Sequence, residues 1–319
     1  MKATVLIPTK NAGPSFRTVL DRLMSQHTSW PFEVIVIDSG SSDGTVDLCR
    51  QYPAIRLHQI APTEFGHGRT RNLGFSIASG EFVAVITQDA LPVDDHWLTN
   101  LVAAVEARSD IAGGFGRHLP YNSASPFIKR DLQLHFDGFA KLDPITKLDD
   151  PVRYAQDLGY RQLLHFFSDN NACIRKAVWE KFPYPDVDFA EDQIWAQRII
   201  EAGYAKVYCD AAAVYHSHDY GVIETLRRSY DESRAFRRLF GYRLCPSFRH
   251  LLAVTAHTTV RDLRYARKIV GARAKWLVLA PPINLAKQAG YYLGSEWSDH
   301  PFVSRLSLDR AKKVGTRVL

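Results

Sequence analysis

The sequence predicts an α/β fold, a mostly parallel central sheet flanked by helices, with a helical extension at the C-terminal end. Three observations predict it. Short β-branched runs alternate with amphipathic segments over the first two thirds of the chain. The run Phe82 to Ile86 is apolar throughout, as a strand covered on both faces must be. Charge then divides the chain. Residues 221–319 hold 19 Lys and Arg against 7 Asp and Glu, a balance of +12, while the first 220 hold 21 against 27. An acidic body over 1–220 and a basic helical region over 221–319 are therefore expected to do different jobs, with the boundary near Tyr220.

Ala3 to Pro8 reads as a buried first strand closed by a proline, followed by Thr9, Lys10 and Asn11 and an amphipathic helix from Phe16 to Met24. Glu33 to Asp38 is the second strand. It enters the bend-prone loop Ser39-Gly-Ser-Ser-Asp-Gly-Thr45, which opens a helix from Val46 to Gln51, and Ile55 to Ile60 forms a third strand. A strand, a Gly/Ser-rich turn and a helix suit a phosphate or ribose, but the loop is neither GxGxxG nor GxxxxGK[ST]. A helix led by Gly68-Arg-Thr-Arg-Asn-Leu-Gly74 precedes the strand Phe82 to Ile86. That strand ends in Thr87-Gln-Asp-Ala-Leu-Pro92, polar groups delivered to the carboxyl edge where open α/β sheets bind ligands.

A helix from Asp94 or Asp95 to Ala107 comes next, then a glycine-rich strand from Ile111 to Leu119. Residues 120–165 show no clean periodicity and are read as an insert suited to contacts with an acceptor. Phe166 to Arg175 regains strand character and leads to a helix around Val178. Glu191 and Asp192 open an amphipathic helix through Ile200. Lys206 to His218 reads as a strand carrying His216 and His218 on one face.

The chain has 319 residues, 46% hydrophobic and 23% charged, as an ordinary globular protein of one large or two modest domains has. Cys49, Cys173, Cys209 and Cys245 show no paired spacing, which favours a reducing cytoplasm and indicates neither a zinc ribbon nor a disulfide framework. Neither a signal-peptide core nor an apolar run of about 20 residues is present. No nucleic-acid module accompanies the basic tail.

Each candidate site residue has a plain structural role beside a functional one. Asp38 is placed to meet a base or ribose, or to cap its turn. Asp89 is placed to hold a divalent cation under a diphosphate, or to start the next helix. Arg69 and Arg71 suit diphosphate oxygens through the planar guanidinium, or surface ion pairs. Glu191 and Asp192 lie where a helix dipole favours carboxylates, and a carboxylate there suits a general base. His216 and His218 share a metal, or one of them is packed.

In order, Ile7-Pro-Thr-Lys-Asn11, Asp38 to Thr45, Gly68 to Gly74, Thr87 to Pro92, Glu191-Asp192 and His216-Ser-His218 resemble glycosyltransferase family 2. These are inverting enzymes with the GT-A nucleotide-sugar fold. The likeness covers about the first 220 residues, and its form is nearest the bacterial rhamnosyltransferases that build surface polysaccharide (O-antigen or capsule) from dTDP-L-rhamnose. The resemblance implies a nucleotide-sugar site lined by Pro8, Thr9, Asn11, Asp38, Ser39, Arg71, Gln88 and Asp89, with Arg71 on the diphosphate. It implies Asp192 as general base beside Glu191, and Mg²⁺ or Mn²⁺ on Asp89 with His216 or His218. One departure matters: the family's Asp-x-Asp becomes Thr87-Gln88-Asp89, which leaves one carboxylate. An exposed Asp192 is expected to be ionised at neutral pH.

The implied partners are a dTDP-sugar donor and a glycan or lipid-linked glycan acceptor, with no nucleic acid. The basic segments Leu226 to Phe240 and Arg261 to Lys275 suit an anionic membrane surface at the inner face of the cell membrane, or helices packed on the body. Other readings stay open: a UDP- or GDP-hexose donor, or a subunit that binds sugar nucleotide without catalysis. A nucleotidyltransferase is disfavoured, because the Gly/Arg/Lys-rich N-terminal signature for a triphosphate is absent.

Overall fold

Residues 1–187, 189–269 and 274–308 are described by the computed structural model. Four parallel strands form one side of the sheet: β1 (Ala3–Thr9), β2 (Phe32–Asp38), β3 (Ile55–Gln59) and β4 (Phe82–Ile86). The sheet has nine strands among the described residues, and its main path runs β3-β2-β1-β4 and then β8-β6-β9-β5. The later members are β5 (Leu91–Pro92), β6 (Ile111–Leu119), β8 (Asn171–Arg175) and β9 (Ala205–Tyr215), with β7 (Ile145–Thr146) antiparallel to β9. Strand order reverses at β1, which has β2 on one side and β4 on the other. Register sets Thr9 beside Asp38 and Leu6 beside Val85, so β1, β2 and β4 end at one edge. β8 runs antiparallel to β4 with Asn171 opposite Ile86, so residues entering β8 emerge at that same edge.

Alternation along β1 divides the core. Ala3, Val5 and Ile7 meet α1 (Phe16–Met24) and α4 (Trp97–Glu106) through Phe16, Leu20, Trp97 and Leu101. Leu6 faces the other way, in a cluster with Phe75 of α3 (His67–Ile77) and with Trp195 and Ile199 of α9 (Glu191–Glu201). Every residue of β4 is buried, as an apolar run must be when helices cover both faces.

The stretch 120–165 differs from the expected insert. It folds as α5 (Pro126–Ala140), β7, α6 (Pro151–Gln156) and α7 (Leu158–His165). Leu132, Phe136 and Phe139 follow helical spacing, and Phe136, Tyr160 and Leu164 are buried in the second cluster. Charged neighbours Lys129, Arg130 and Asp131 obscure that stripe in the sequence. The last strand also ends earlier than expected, at Tyr215, so His216 and His218 lie beyond it and strand alternation does not pair them.

Contacts divide the described chain into two units, the first being Met1–Ala124 with Ile128–Ser217. Ser125–Phe127 and the described residues from His218 onward make the second, built on α10 (Val222–Phe240), α11 (Phe248–Lys268) and α12 (Ala274–Glu296). α10 and α12 approach closely. A Cβ at Gly290 would stand 2.4 Å from the Leu226 carbonyl oxygen, and one at Gly294 would stand 2.5 Å from that of Tyr230. Ser233 bridges the pair, donating to the Tyr291 carbonyl at 2.7 Å. Asn284 of α12 donates to Asp262 of α11 at 2.8 Å. The basic segment expected from Arg261 to Lys275 and the region expected to 319 both run partly outside the described residues. No described helix is long and apolar enough to cross a membrane.

Candidate active site

The carboxyl edge of the parallel strands carries the first group of candidates. Asp38 ends β2 fully buried, and its carboxylate accepts from Thr9 Oγ1 at 3.2 Å, the amides of Gly40 and Ser41 at 3.0 and 2.9 Å, and Ser41 Oγ at 2.5 Å. Asn11 takes a left-handed conformation, φ 48°, in which its side-chain oxygen accepts the Ser42 amide at 2.9 Å. Asp43 accepts the Thr45 amide at 3.1 Å. The loop after β2 therefore braces itself, and these amides are spent on side chains of the protein. Ser39 Oγ donates to the Thr9 carbonyl, and Gln88 exchanges two hydrogen bonds with the Lys10 backbone. Pro8 is partly buried in β1.

At the end of β4, Asp89 is 41% exposed and its Oδ1 lies 3.6 Å from His216 Nε2. Its carbonyl accepts the Tyr121 hydroxyl at 2.9 Å. Thr87 Oγ1 is buried with no hydrogen-bond partner among the described residues. The Asp89 carboxylate and the His216 imidazole make a donor pair that fits a divalent cation. His216 also stands edge-on to His118, ring centroids 5.4 Å apart. Burial, then the charge of His216, pushes His118 down to about 3, so it is neutral. His218 begins the second unit.

The second group gathers where β8 begins and α9 begins. Arg71 of α3 is only 6% exposed, with Nε 2.9 Å from Asp169 Oδ2 and Nη1 2.8 Å from Glu191 Oε1. Tyr184 donates to Asp169 Oδ1 at 2.7 Å. Asp192, half-buried in the first turn of α9, accepts the Asp169 amide at 3.3 Å and the Gln193 amide at 2.8 Å. Ala190 enters this turn in the left-handed region at φ 58°, an uncommon conformation for a residue with a Cβ.

Three carboxylates and one guanidinium do not balance, and burial and like charge shift their proton affinities. Burial, then the charges of Asp169 and Glu191, holds the Asp192 carboxyl well above the usual range, with Arg71 opposing. Burial likewise raises Asp169 to about 6 against the pull of Arg71. For Arg71, burial disfavours the charge, but Asp169 and Glu191 outweigh it and the side chain stays protonated. Burial and like charge thus raise the proton affinity of Asp169 and Asp192 above that of free carboxyls.

The Glycosyl transferase family 2 model matches residues 4–182, more than half of the chain. The chain belongs to glycosyltransferase family 2. It is a glycosyltransferase, 33% identical over 94% of its length to the O-antigen chain rhamnosyltransferase RfbN of Salmonella typhimurium, of which it covers 92%. It is 29% identical to the O-antigen chain rhamnosyltransferase WbaN of Salmonella anatum, over 93% of this chain and 90% of that protein. Among solved structures, the Pyrobaculum calidifontis mannosyltransferase PcManGT has a TM-score of 0.57 at 19% identity, over 89% of this chain and 85% of that one. TarS 1-349 of S. aureus gives 0.53 at 17%, covering 93% and 90%. These neighbours place the fold in the GT-A class.

In this glycosyltransferase the expected residues fall into the two groups just described. The fold brings Thr9, Asn11, Asp38, Ser39 and Gln88 together, Asp89 with His216, and Arg71 with Glu191 and Asp192. Two expectations about their chemistry change. Arg71, expected on the diphosphate or in surface ion pairs, is buried with its guanidinium engaged by Asp169 and Glu191. Asp192 is not an ordinary exposed carboxylate, because burial and two like charges raise it. Sequence reasoning missed Asp169 and Tyr184. The available signal was the polar quartet Ser168-Asp169-Asn170-Asn171 at the mouth of an apolar strand.

Proposed function

We propose that this glycosyltransferase moves L-rhamnose from dTDP-β-L-rhamnose to a glycan or lipid-linked glycan in bacterial surface polysaccharide synthesis, with inversion at the anomeric carbon. The observation that carries the reading is the end-to-end likeness to RfbN, at 33% identity over more than nine tenths of both chains.

The proposed chemistry divides between the two groups at one sheet edge. Thr9, Asn11, Asp38, Ser39, Gln88 and the neighbouring Pro8 shape the nucleotide pocket, with Asp38 acting as the brace that fixes the loop wall. Asp89 and His216 supply donors for Mg²⁺ or Mn²⁺, and His218 follows as a further imidazole. When bound, the cation stabilises negative charge on the departing nucleoside diphosphate. Asp192, once ionised, accepts the proton of the attacking acceptor hydroxyl at its carboxylate oxygen. Glu191 and Asp169 grip Arg71 and fix the turn that presents Asp192. Arg71 offsets their charge and keeps the base from being still more reluctant to ionise.

Thermal-shift titration with dTDP, UDP and GDP, each with and without Mn²⁺, tests the donor. A bound ligand stabilises in proportion to the logarithm of its concentration over its dissociation constant. The expected result is the largest shift with dTDP, enhanced by the metal. A larger shift with UDP or GDP would discard the rhamnosyl donor and keep the transferase. The proposed location is cytoplasmic, at the inner face of the cell membrane, where a lipid-linked acceptor lies.

A further inference from the structure

Away from the transfer site, the segment that follows α1 meets the segment that opens α4, and three metal-ligating side chains converge there. His27 Nδ1 is 3.2 Å from Asp95 Oδ2, and His96 Nδ1 is 2.6 Å from Asp95 Oδ1. The two imidazole rings stand edge-on at 5.8 Å, with an interplanar angle of 85°. One donor atom from each residue lies within 4.8 Å of the other two. We propose that His27, Asp95 and His96 form a surface site for a borderline transition ion, zinc foremost, with the fourth coordination position open.

The donor chemistry selects the ion. Two imidazoles with one carboxylate suit zinc, whereas an ion such as Mg²⁺ favours a site richer in oxygen. Tetrahedral zinc with bonds of about 2.0–2.2 Å needs donors separated by about 3.3 Å, near the spacing His27 and Asp95 already have, while His96 must give up its 2.6 Å contact with Asp95 and draw back slightly. Both histidines and Asp95 are open to solvent, so an ion has access.

The scaffold separates this cluster from an ordinary surface ion pair, which orders two flexible chains for little return. Here the two segments are cross-braced at the backbone. The His27 amide donates to the Asp95 carbonyl at 2.7 Å, and Thr99 Oγ1 donates to the His27 carbonyl at 2.7 Å. Between them the buried Gln26 amide spans the junction, donating to the Asp94 carbonyl at 2.7 Å and accepting the Leu98 amide at 2.9 Å. Asp94 in turn accepts the His96 amide at 2.9 Å. The ligand-bearing backbone is thus set before any ion arrives, which lowers the ordering cost of binding. An ion here ties the end of α1 to the start of α4, the two helices that cover one face of the parallel strands.

The test uses untagged full-length protein and zinc chloride in isothermal titration calorimetry, with the Tm read in parallel. Wild type, a His27→Ala/His96→Ala double variant, Asp95→Asn and His216→Ala are compared. The expected result is saturable zinc binding and a raised Tm in wild type and in His216→Ala. In His27→Ala/His96→Ala and Asp95→Asn that binding should be lost, with the Tm before zinc unchanged. Titration of wild type with cobalt(II) should give the visible absorption of a four-coordinate site, absent from the double variant. Zinc binding unchanged in the double variant, or lost in His216→Ala alone, overturns the proposal. So does the absence of saturable binding in wild type.

Discussion

Asp192 can act as a base only when ionised, and its surroundings resist ionisation. Burial and the like charges of Asp169 and Glu191 raise its pKa, so activity should climb with pH through a limb above the ordinary carboxylate range. The sign of a test follows directly. Asp169→Asn removes one negative charge and leaves Arg71 less neutralised, and both changes favour the ionised form of Asp192. The acidic limb of kcat/KM should therefore move to lower pH in that variant, while Tyr184 keeps a hydrogen-bond acceptor. An unmoved limb would separate Asp169 from the base. At this scale the sequence was legible for Glu191 and Asp192, whose place before an amphipathic helix announces a helix start. It was less legible for Asp169, marked only by the polar quartet at the mouth of β8, which joins them because β8 runs back antiparallel beside β4. For Asp38 it offered a turn cap beside a base or ribose contact, and the structure shows the carboxylate bonded to its own loop.

Among the elements, α3 shows how a motif can be structural in one position and chemical in the next. A Cβ at Gly68 would stand 2.0 Å from the Pro185 carbonyl oxygen, so only glycine lets the chain after Tyr184 lie against the helix. Asn72 fastens that same chain, donating to the Tyr184 carbonyl at 2.9 Å and accepting its amide at 3.0 Å. Tyr184 then reaches Asp169. Gly68→Ala should push this chain away, lowering stability by about 1–3 kcal/mol in urea unfolding, as overpacking does. Transfer should fall with it, because the Tyr184 contact is disturbed; full stability in that variant would show that the backbone yields freely. The elements themselves were well written in the sequence. α1 and β6 have the bounds their periodicity predicts, and the all-apolar β4 is buried at every residue. Residues 120–165 resisted because an aromatic stripe on α5 is interrupted by charges that point elsewhere, and because β7 is only two residues long.

On the scale of the whole molecule, the division of charge gives the second unit its own physical character. Within it α11 exposes Phe248, Leu252 and Val260, at 58%, 52% and 45%, among Arg249, Arg264, Arg267 and Lys268. Exposed apolar side chains beside cations suit an anionic lipid surface, and each nearby cation adds about 1 kcal/mol there at low salt. Full-length protein should therefore float with vesicles containing phosphatidylserine and be released as salt rises. Equal flotation with neutral vesicles would count against a charge-led surface. The division of charge is plain in composition alone, whereas the close α10–α12 approach through Gly290 and Gly294 needed the structure.

The most direct measurement is turnover of dTDP-β-L-rhamnose by wild type and Asp192→Asn, followed as dTDP release with a glycan acceptor present, alongside donor affinity. The account predicts release by wild type, a fall of about 10²–10⁴-fold in kcat for Asp192→Asn, and unchanged donor binding. Wild-type turnover in Asp192→Asn would contradict it, because the carboxylate at the centre of the cluster would then have no part in the transfer.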